Sequence, residues 1–417
     1  MLRGVEHAGF TDPRPIQIGT IPAVMQGRDV LGLAQTGTGK TAAFALPILT
    51  KLLARGGKSA GPRALILAPT RELASQIERE INTLGRYTPV RTTTVFGGVP
   101  IPKQVRNLRQ RPDVIVACPG RLLDLHQRGA VNLRGIEILV LDEGDHMFDM
   151  GFLPDIRRIL AALPARRQNL LFSATMPKEI RRLTDEILHK AHVVELESTA
   201  PVATVEHALY PVSDAKKQDL LEHLLEEHDF TSAIVFLRTK HRAKRLAEKL
   251  GKRGHSAVAL QGNMSQGQRD RAMKGFREGR FDVLVATDIA ARGIDVAGIS
   301  HVVNFDIPNT TDAYTHRIGR TGRAEKRGKA CTFVTASDRA QVRAIEAAIG
   351  STIRKVHLPA FGGDTRAEPP ASGKRDRRAG SPARRRNGAK KPVSRGRRSS
   401  AGAANRRSRG FRARAAS

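Results

Sequence analysis

The sequence has no tryptophan and only 3 tyrosines, and aromatic residues make up 4 % of its 417 positions. So few rings exclude a nucleic-acid binder that works mainly by stacking bases on aromatic platforms. Its 2 cysteines, Cys118 and Cys331, share no metal-ligand spacing. That excludes a disulfide scaffold and fits a reduced, intracellular compartment. No apolar run approaches the roughly 18 residues that cross a bilayer. The N-terminal stretch MLRGVEHAGF lacks the apolar centre of a secretory signal. The expectation is a soluble, cytoplasmic protein with no membrane partner. Acidic residues are also scarce, with 40 Asp and Glu against 71 Lys and Arg, a net charge of +31. That excess concerns partners rather than fold, and it points to a polyanion.

Hydrophobic residues account for 40 % of the chain, enough for two or three domains. Short apolar runs at Arg63–Ala68, Asp113–Ala117, Ile136–Leu141 and Asn169–Phe172 read as buried parallel strands. Amphipathic stretches at Thr70–Leu84 and Leu153–Leu163 read as helices between them. The pattern restarts with Ala233–Phe236, Ser256–Leu260, Asp282–Ala286 and His301–Phe305. This alternation predicts an α/β chain of two tandem domains with parallel sheets. The expected boundaries are residues 1–197, a linker at 198–206, a second domain at 207–360 and a tail at 361–417. Residues 366–417 hold 18 basic and 2 acidic side chains. Such a composition predicts a disordered, RNA-capturing tail.

Three segments carry chemistry. After the apolar run Val30–Leu33, residues Ala34, Gln35, Thr36, Gly37, Thr38, Gly39, Lys40 and Thr41 form a glycine-rich loop. Glycines let backbone N–H groups close around phosphate oxygens, and the following helix adds a favourable field. Lys40 is expected on the β- and γ-phosphates and Thr41 on Mg²⁺. Ala34 stands where such loops usually begin with glycine, and a bare loop of this kind can also be a simple turn. Next, Ile138–Asp145 delivers Asp142 and Glu143 at the end of an apolar strand, where ligands bind in open parallel sheets. Asp142 is expected to hold Mg²⁺ through water, and Glu143 to take the proton of an attacking water. Finally, HRIGRTGR at His316–Arg323 places Arg320 and Arg323 three residues apart, on one face if helical. A cation there would offset charge building on a transferring phosphoryl group. Because these arginines lie in the second domain, the site would be complete only when the domains close.

Together these motifs resemble the DEAD-box ATP-dependent RNA helicases of the second helicase superfamily, from about residue 4 to 345. The resemblance rests on about ten motifs in order, including GFTDPRPIQ at Gly9–Gln17, PTRELA at Pro69–Ala74, Gly97-Gly98, PGRL at Pro119–Leu122, SAT at Ser173–Thr175, QGQR at Gln266–Arg269 and ATDIAARGID at Ala286–Asp295. The stretches RQNLLFSAT and LVATDIAARGID, with the basic tail, look most like the bacterial RhlE-like subgroup. The resemblance implies two RecA-like domains, ATP and Mg²⁺ as ligands, and RNA as the partner. It implies that Gln17 reads adenine and Asp295 meets the ribose. Ser173, Thr175, Asp145 and His316 would couple the nucleotide site to closure. Pro69, Thr70, Arg71, Gly98, Gly120, Arg121, Arg269, Thr287 and Gly293 would line the RNA backbone. A monomer acting in ribosome-precursor or RNA-turnover assemblies is the implied setting.

Three departures qualify the resemblance. Gly144 replaces the alanine of the acidic motif, which loosens the backbone and predicts slower ATP hydrolysis. Cys118 replaces a threonine before Pro-Gly-Arg and removes a hydroxyl from the RNA path. The aromatic residue that usually stacks on adenine would lie upstream of Met1, so either the chain starts further upstream or one face of the base is uncovered. A weakly hydrolysing RNA chaperone or clamp is the alternative of another class, and a DNA helicase of the same superfamily is a third.

Overall fold

A computed structural model describes residues 1–35, 37–56, 61–196, 205–227, 229–291, 299–322 and 328–361. Thr36, Gly293, Asp295, Arg323, most of the expected linker and the tail from 362 lie outside the described residues.

Two seven-stranded sheets organise the chain, and the strand pairings among the described residues are parallel. The first holds β1 (Val30–Leu33), β2 (Ala64–Leu67), β3 (Thr92–Val95), β4 (Val114–Ala117), β5 (Ile138–Leu141), β6 (Gln168–Ser173) and β7 (His192–Glu195), in the order β3-β4-β2-β5-β6-β1-β7. The second holds β8 (Val205–Pro211), β9 (Ala233–Phe236), β10 (Ala257–Leu260), β11 (Val283–Ala286), β12 (His301–Asn304), β13 (Gly328–Val334) and β14 (Arg354–Lys355), in the order β10-β11-β9-β12-β13-β8-β14.

The apolar runs become central strands because both of their faces are covered. In β2, Ile66 joins one core while Leu65 and Leu67 join another on the opposite face. In β5, Val140 and Leu139 divide the same way. In the second sheet, Val235 and Ile234 of β9 point into two separate cores. Period-two alternation is invisible in such strands because both sets are apolar. Helices cover the faces, so every parallel crossover returns the chain to the same edge. The segments that follow β1, β2, β5 and β6 therefore all emerge at one carboxyl edge, which is where the candidate residues lie.

Two expected boundaries move. Val205 and Glu206, placed at the end of the linker, are the first residues of β8, in register with Gly328 and Lys329 of β13. Phe361, placed at the start of the tail, packs on the second lobe with its ring 5.4 Å from that of His223. No helix among the described residues is long and apolar enough to cross a membrane.

Candidate active site

The glycine-rich loop connects β1 to the helix Lys40–Ala54. Gly39, the residue before that helix, has φ 93°, a left-handed conformation that strains a residue carrying Cβ. A Cβ there would also stand 2.7 Å from Gln17 Nε2. Gln17 is the third residue of the helix Pro15–Met25, so its amide reaches the loop directly: Nε2 donates to Gly39 O at 3.2 Å, and Oε1 accepts from Arg14 N at 2.9 Å. The Arg14 guanidinium donates to Gly37 O at 2.6 Å. Thr38 Oγ1 donates to Gln35 O at 2.8 Å. Lys40 is buried, and its ammonium donates to Ala34 O at 2.7 Å. Thr41 follows in the first helical turn, half-buried.

Across the carboxyl edge, β5 ends in Asp142 and Glu143, both only 3 % exposed. Glu143 has φ 53° and ψ 55°, a left-handed conformation costing a non-glycine residue about 1–2 kcal/mol. It lets the carboxylate turn back toward the helix Gly144–Asp149, where His146 Nδ1 lies 2.9 Å from Glu143 Oε2. Burial alone would push the Glu143 carboxyl up, but His146, Lys40 and Arg320 outweigh it and hold the group well below the usual carboxylate range. Asp142 goes the other way. Burial, aided by the Glu143 and Asp145 charges, lifts it to about 6 against the pull of Lys40. Two adjacent carboxyls thus differ widely in acidity, the pattern expected where acid, base and ligand roles divide.

Asp145 ties this strand end to the next. Its Oδ2 accepts from Thr175 N at 2.9 Å, Thr175 Oγ1 at 3.0 Å and Ala174 N at 3.2 Å, while Asp145 N donates to Ser173 Oγ at 3.1 Å. Ser173 Oγ in turn donates to Thr175 O at 2.8 Å.

The second lobe closes the site. His316, on the helix Thr311–Ile318, brings Nδ1 to 2.9 Å from His146 Nε2 and Nε2 to 4.0 Å from Asp145 Oδ2. Burial first, then the neighbouring His146 and Arg320, push His316 down to about 3. Arg320 is buried beside it, with Nε donating to His316 O at 3.2 Å. The helix ends at Ile318, so Arg320 sits in the following turn rather than on a helix, and Arg323 lies outside the described residues. Gly319 caps the helix and ends its periodicity. The buried Arg317 holds Asp288 through Nε at 2.5 Å and Nη2 at 2.8 Å, which joins the segment after β11 to this helix.

The residues expected along RNA cluster apart from these carboxylates. Pro69, Thr70, Arg71, Gly120, Arg121 and Arg269 line one cavity of about 370 Å³ between the lobes. Thr70 caps the helix Arg71–Leu84 by accepting from Leu73 N at 3.2 Å. Gly98 has φ 77°, and the Arg71 guanidinium occupies the space a Cβ would need. Arg121 donates to Val99 O at 2.9 Å. Arg269 is buried, and its fork is engaged by Glu72 at 2.5 Å and by the carbonyls of Gln261 and Ala290, both at 3.2 Å. In this conformation its guanidinium joins the lobes instead of waiting in the cavity for a phosphate. Thr287 accepts from Ala290 N at 2.9 Å at the end of β11.

Sequence reasoning missed His146, Arg14 and Glu72. His146 lies one position past the acidic motif and i+3 from Glu143, a spacing that puts the two on one helical face. An ionisable ring at that spacing was the available signal.

A glycine-rich loop, a buried acidic strand end and a second lobe whose Arg320 acts on that strand end define a tandem RecA-like nucleoside-triphosphate motor. Residues 14–183 match the DEAD/DEAH box helicase family, and residues 216–325 match the helicase conserved C-terminal domain. The chain is 45 % identical over 347 residues to the DEAD-box ATP-dependent RNA helicase CshA of Geobacillus kaustophilus, covering 83 % of this chain and 74 % of that protein. It is 43 % identical over 371 residues to the ATP-dependent RNA helicase CshA of Listeria monocytogenes, covering 88 % and 71 %. Among solved structures it resembles S. cerevisiae Dbp5 bound to RNA and ADP BeF3, with a TM-score of 0.76, 34 % identity and coverage of 85 % and 93 %. The chain belongs to the DEAD-box ATP-dependent RNA helicases.

Proposed function

We propose that this protein hydrolyses ATP when its lobes close on RNA, and that closure bends and separates short duplexes. The observation that carries the reading is the single cluster in which the buried Lys40, Asp142 and Glu143 of the first lobe meet the buried Arg320 and half-buried His316 of the second. Lys40, held by a neutral carbonyl, is placed to exchange that partner for β- and γ-phosphate oxygens. Gln17 is placed to read the adenine edge next to the loop. Glu143, kept ionised, accepts the proton of the attacking water. Arg320 offsets charge on the transferring phosphoryl group.

Asp142 and Thr41 supply hard oxygen donors, a carboxylate and a hydroxyl, so the donor set fits Mg²⁺. When bound, Mg²⁺ supplies neutralising charge to the phosphate oxygens. The cavity lined by Thr70, Arg71, Gly120 and Arg121 takes the backbone of single-stranded RNA, and few aromatics elsewhere suit a binder that ignores base identity. Asp295, Gly293, Arg323 and the basic tail join this reading from their sequence alone. So does membership of the RhlE-like subgroup, a name that the relatives called CshA do not carry. The proposed setting is a cytoplasmic monomer acting in ribosome-precursor or RNA-turnover assemblies.

Steady-state phosphate release with and without an RNA oligomer tests the reading. RNA should raise the rate, and Glu143→Gln should remove it. A rate indifferent to RNA in wild type, or unchanged by Glu143→Gln, overturns the proposal.

A further inference from the structure

Two imidazoles meet edge to face across the lobes, with centroids 4.2 Å apart and planes at 86°. His146 belongs to the helix that follows Glu143, and His316 belongs to the other lobe. Each ring nitrogen of His146 has one neighbour: Glu143 Oε2 at Nδ1 and His316 Nδ1 at Nε2, both at 2.9 Å. Nothing in the acidic motif itself demands a ring at this position.

We propose that His146 is a positioning residue that ties the orientation of the Glu143 carboxylate to the presence of the second lobe. The inference rests on Glu143 being the base of ATP hydrolysis. An ionised carboxylate only accepts, so His146 must carry its proton on Nδ1 to bond it. The opposite edge of the same ring, Nε2, meets Nδ1 of His316 at 2.9 Å. Burial keeps His316 neutral. Closure therefore holds the His146 ring at both nitrogens, in the orientation that donates to Glu143. With the lobes apart, the outer contact is gone and the ring is free to turn away from the carboxylate. A second-lobe ring thus reports closure to the base through one intermediate side chain, much as outer partners fix the orientation of a ligating histidine.

The test uses the full chain, ATP and a single-stranded RNA oligomer. His146→Ala should lower the RNA-saturated kcat about tenfold or more, the worth of a charged hydrogen bond, while KM for ATP stays within about twofold because nucleotide binding does not use the ring. His146→Asn, whose amide nitrogen can replace Nδ1 but cannot reach His316, should recover most of that loss. His316→Ala should slow the enzyme markedly in the wild-type background and cost clearly less in the His146→Asn background, where only its contact toward Asp145 remains to be lost. Wild-type kcat in His146→Ala, or losses from His146→Ala and His316→Ala that simply multiply, overturns the proposal. Should His146→Ala fail to fold, equal losses from His316→Ala in the His146→Asn and wild-type backgrounds overturn it as well. Full activity in Glu143→Gln condemns instead the assignment of the base, so the two failures are distinguishable.

Discussion

Gly144 is the first residue of the helix Gly144–Asp149, and a Cβ there would meet Leu171 Cδ2 at 3.7 Å, Phe172 O at 3.8 Å and Ser173 Oγ at 3.9 Å. These are ordinary van der Waals distances, so alanine fits without moving a neighbour. Gly144→Ala should raise stability by about 0.5–1 kcal/mol by restricting the unfolded chain. It should also leave Asp142 and Glu143 in place, with RNA-stimulated ATPase at or above wild type. A melting temperature that falls would show that this turn needs glycine after all. Cys118 and Cys331 need less explanation: burial pushes both thiols up to about 12, so neither is a ready nucleophile.

At several strand-to-helix turns a threonine hydroxyl caps the helix that follows. Thr70, Thr239 and Thr310 accept from Leu73 N at 3.2 Å, Arg242 N at 3.4 Å and Ala313 N at 3.1 Å. At the turn after β4 the capping position is Cys118, and its side chain makes no such bond to the helix Pro119–Gln127. Cys118→Thr should therefore stabilise the protein by about 0.5–1 kcal/mol and return a hydroxyl to the cavity that Gly120 and Arg121 line. Thermal unfolding together with RNA titration checks this; a less stable variant would mean that the added hydroxyl finds no partner at this turn.

Among the described residues, two side-chain hydrogen bonds join the lobes, and each predicts a property of the whole molecule. In the Arg269–Glu72 pair the guanidinium is buried and the carboxylate half-buried. Glu72→Ala leaves a guanidinium without its anion, which should raise the RNA concentration for half-maximal ATPase by about tenfold or more. Energy transfer between dyes on the two lobes should show fewer closed molecules; an unchanged closed population counts against the pair as a clamp. In the His146–His316 pair, the His316 pKa is depressed in the folded state. The released ring binds a proton below about 6.5 and the closed one does not until about 3, so closure weakens as pH falls through that window. The loss is at most about 1.4 kcal/mol per pH unit. The same dye pair should report opening on acidification, and His316→Gln should flatten the response. The tail belongs to this scale too. Removing residues after 363 should weaken RNA binding and reduce the log–log salt slope by about 0.7 for each phosphate that the tail neutralises; an identical slope would place the tail off the RNA.

Much of this protein was legible in its sequence. The apolar runs of β2, β4, β5, β6, β9 and β11 announced themselves because strands covered on both faces admit little else. The loop at Ala34–Thr41 and the pair Asp142-Glu143 were legible because contiguous residues carry their chemistry. The strands β3, β7, β8, β13 and β14 were not anticipated: polar or mixed residues such as Thr92, Thr93 and Thr94 take strand form from the neighbour they pair with. Legibility failed in the same way at the site. His146 touches His316 across 170 positions, and Glu72 meets Arg269 across 197. No local pattern encodes either distance. The sequence determined which groups could do phosphoryl chemistry, because that follows from residue type and short spacing. Tertiary structure alone decided that the Glu143 carboxylate meets a ring from the helix that follows it, backed by another from the second lobe, because that follows from how two separately folded sheets come together.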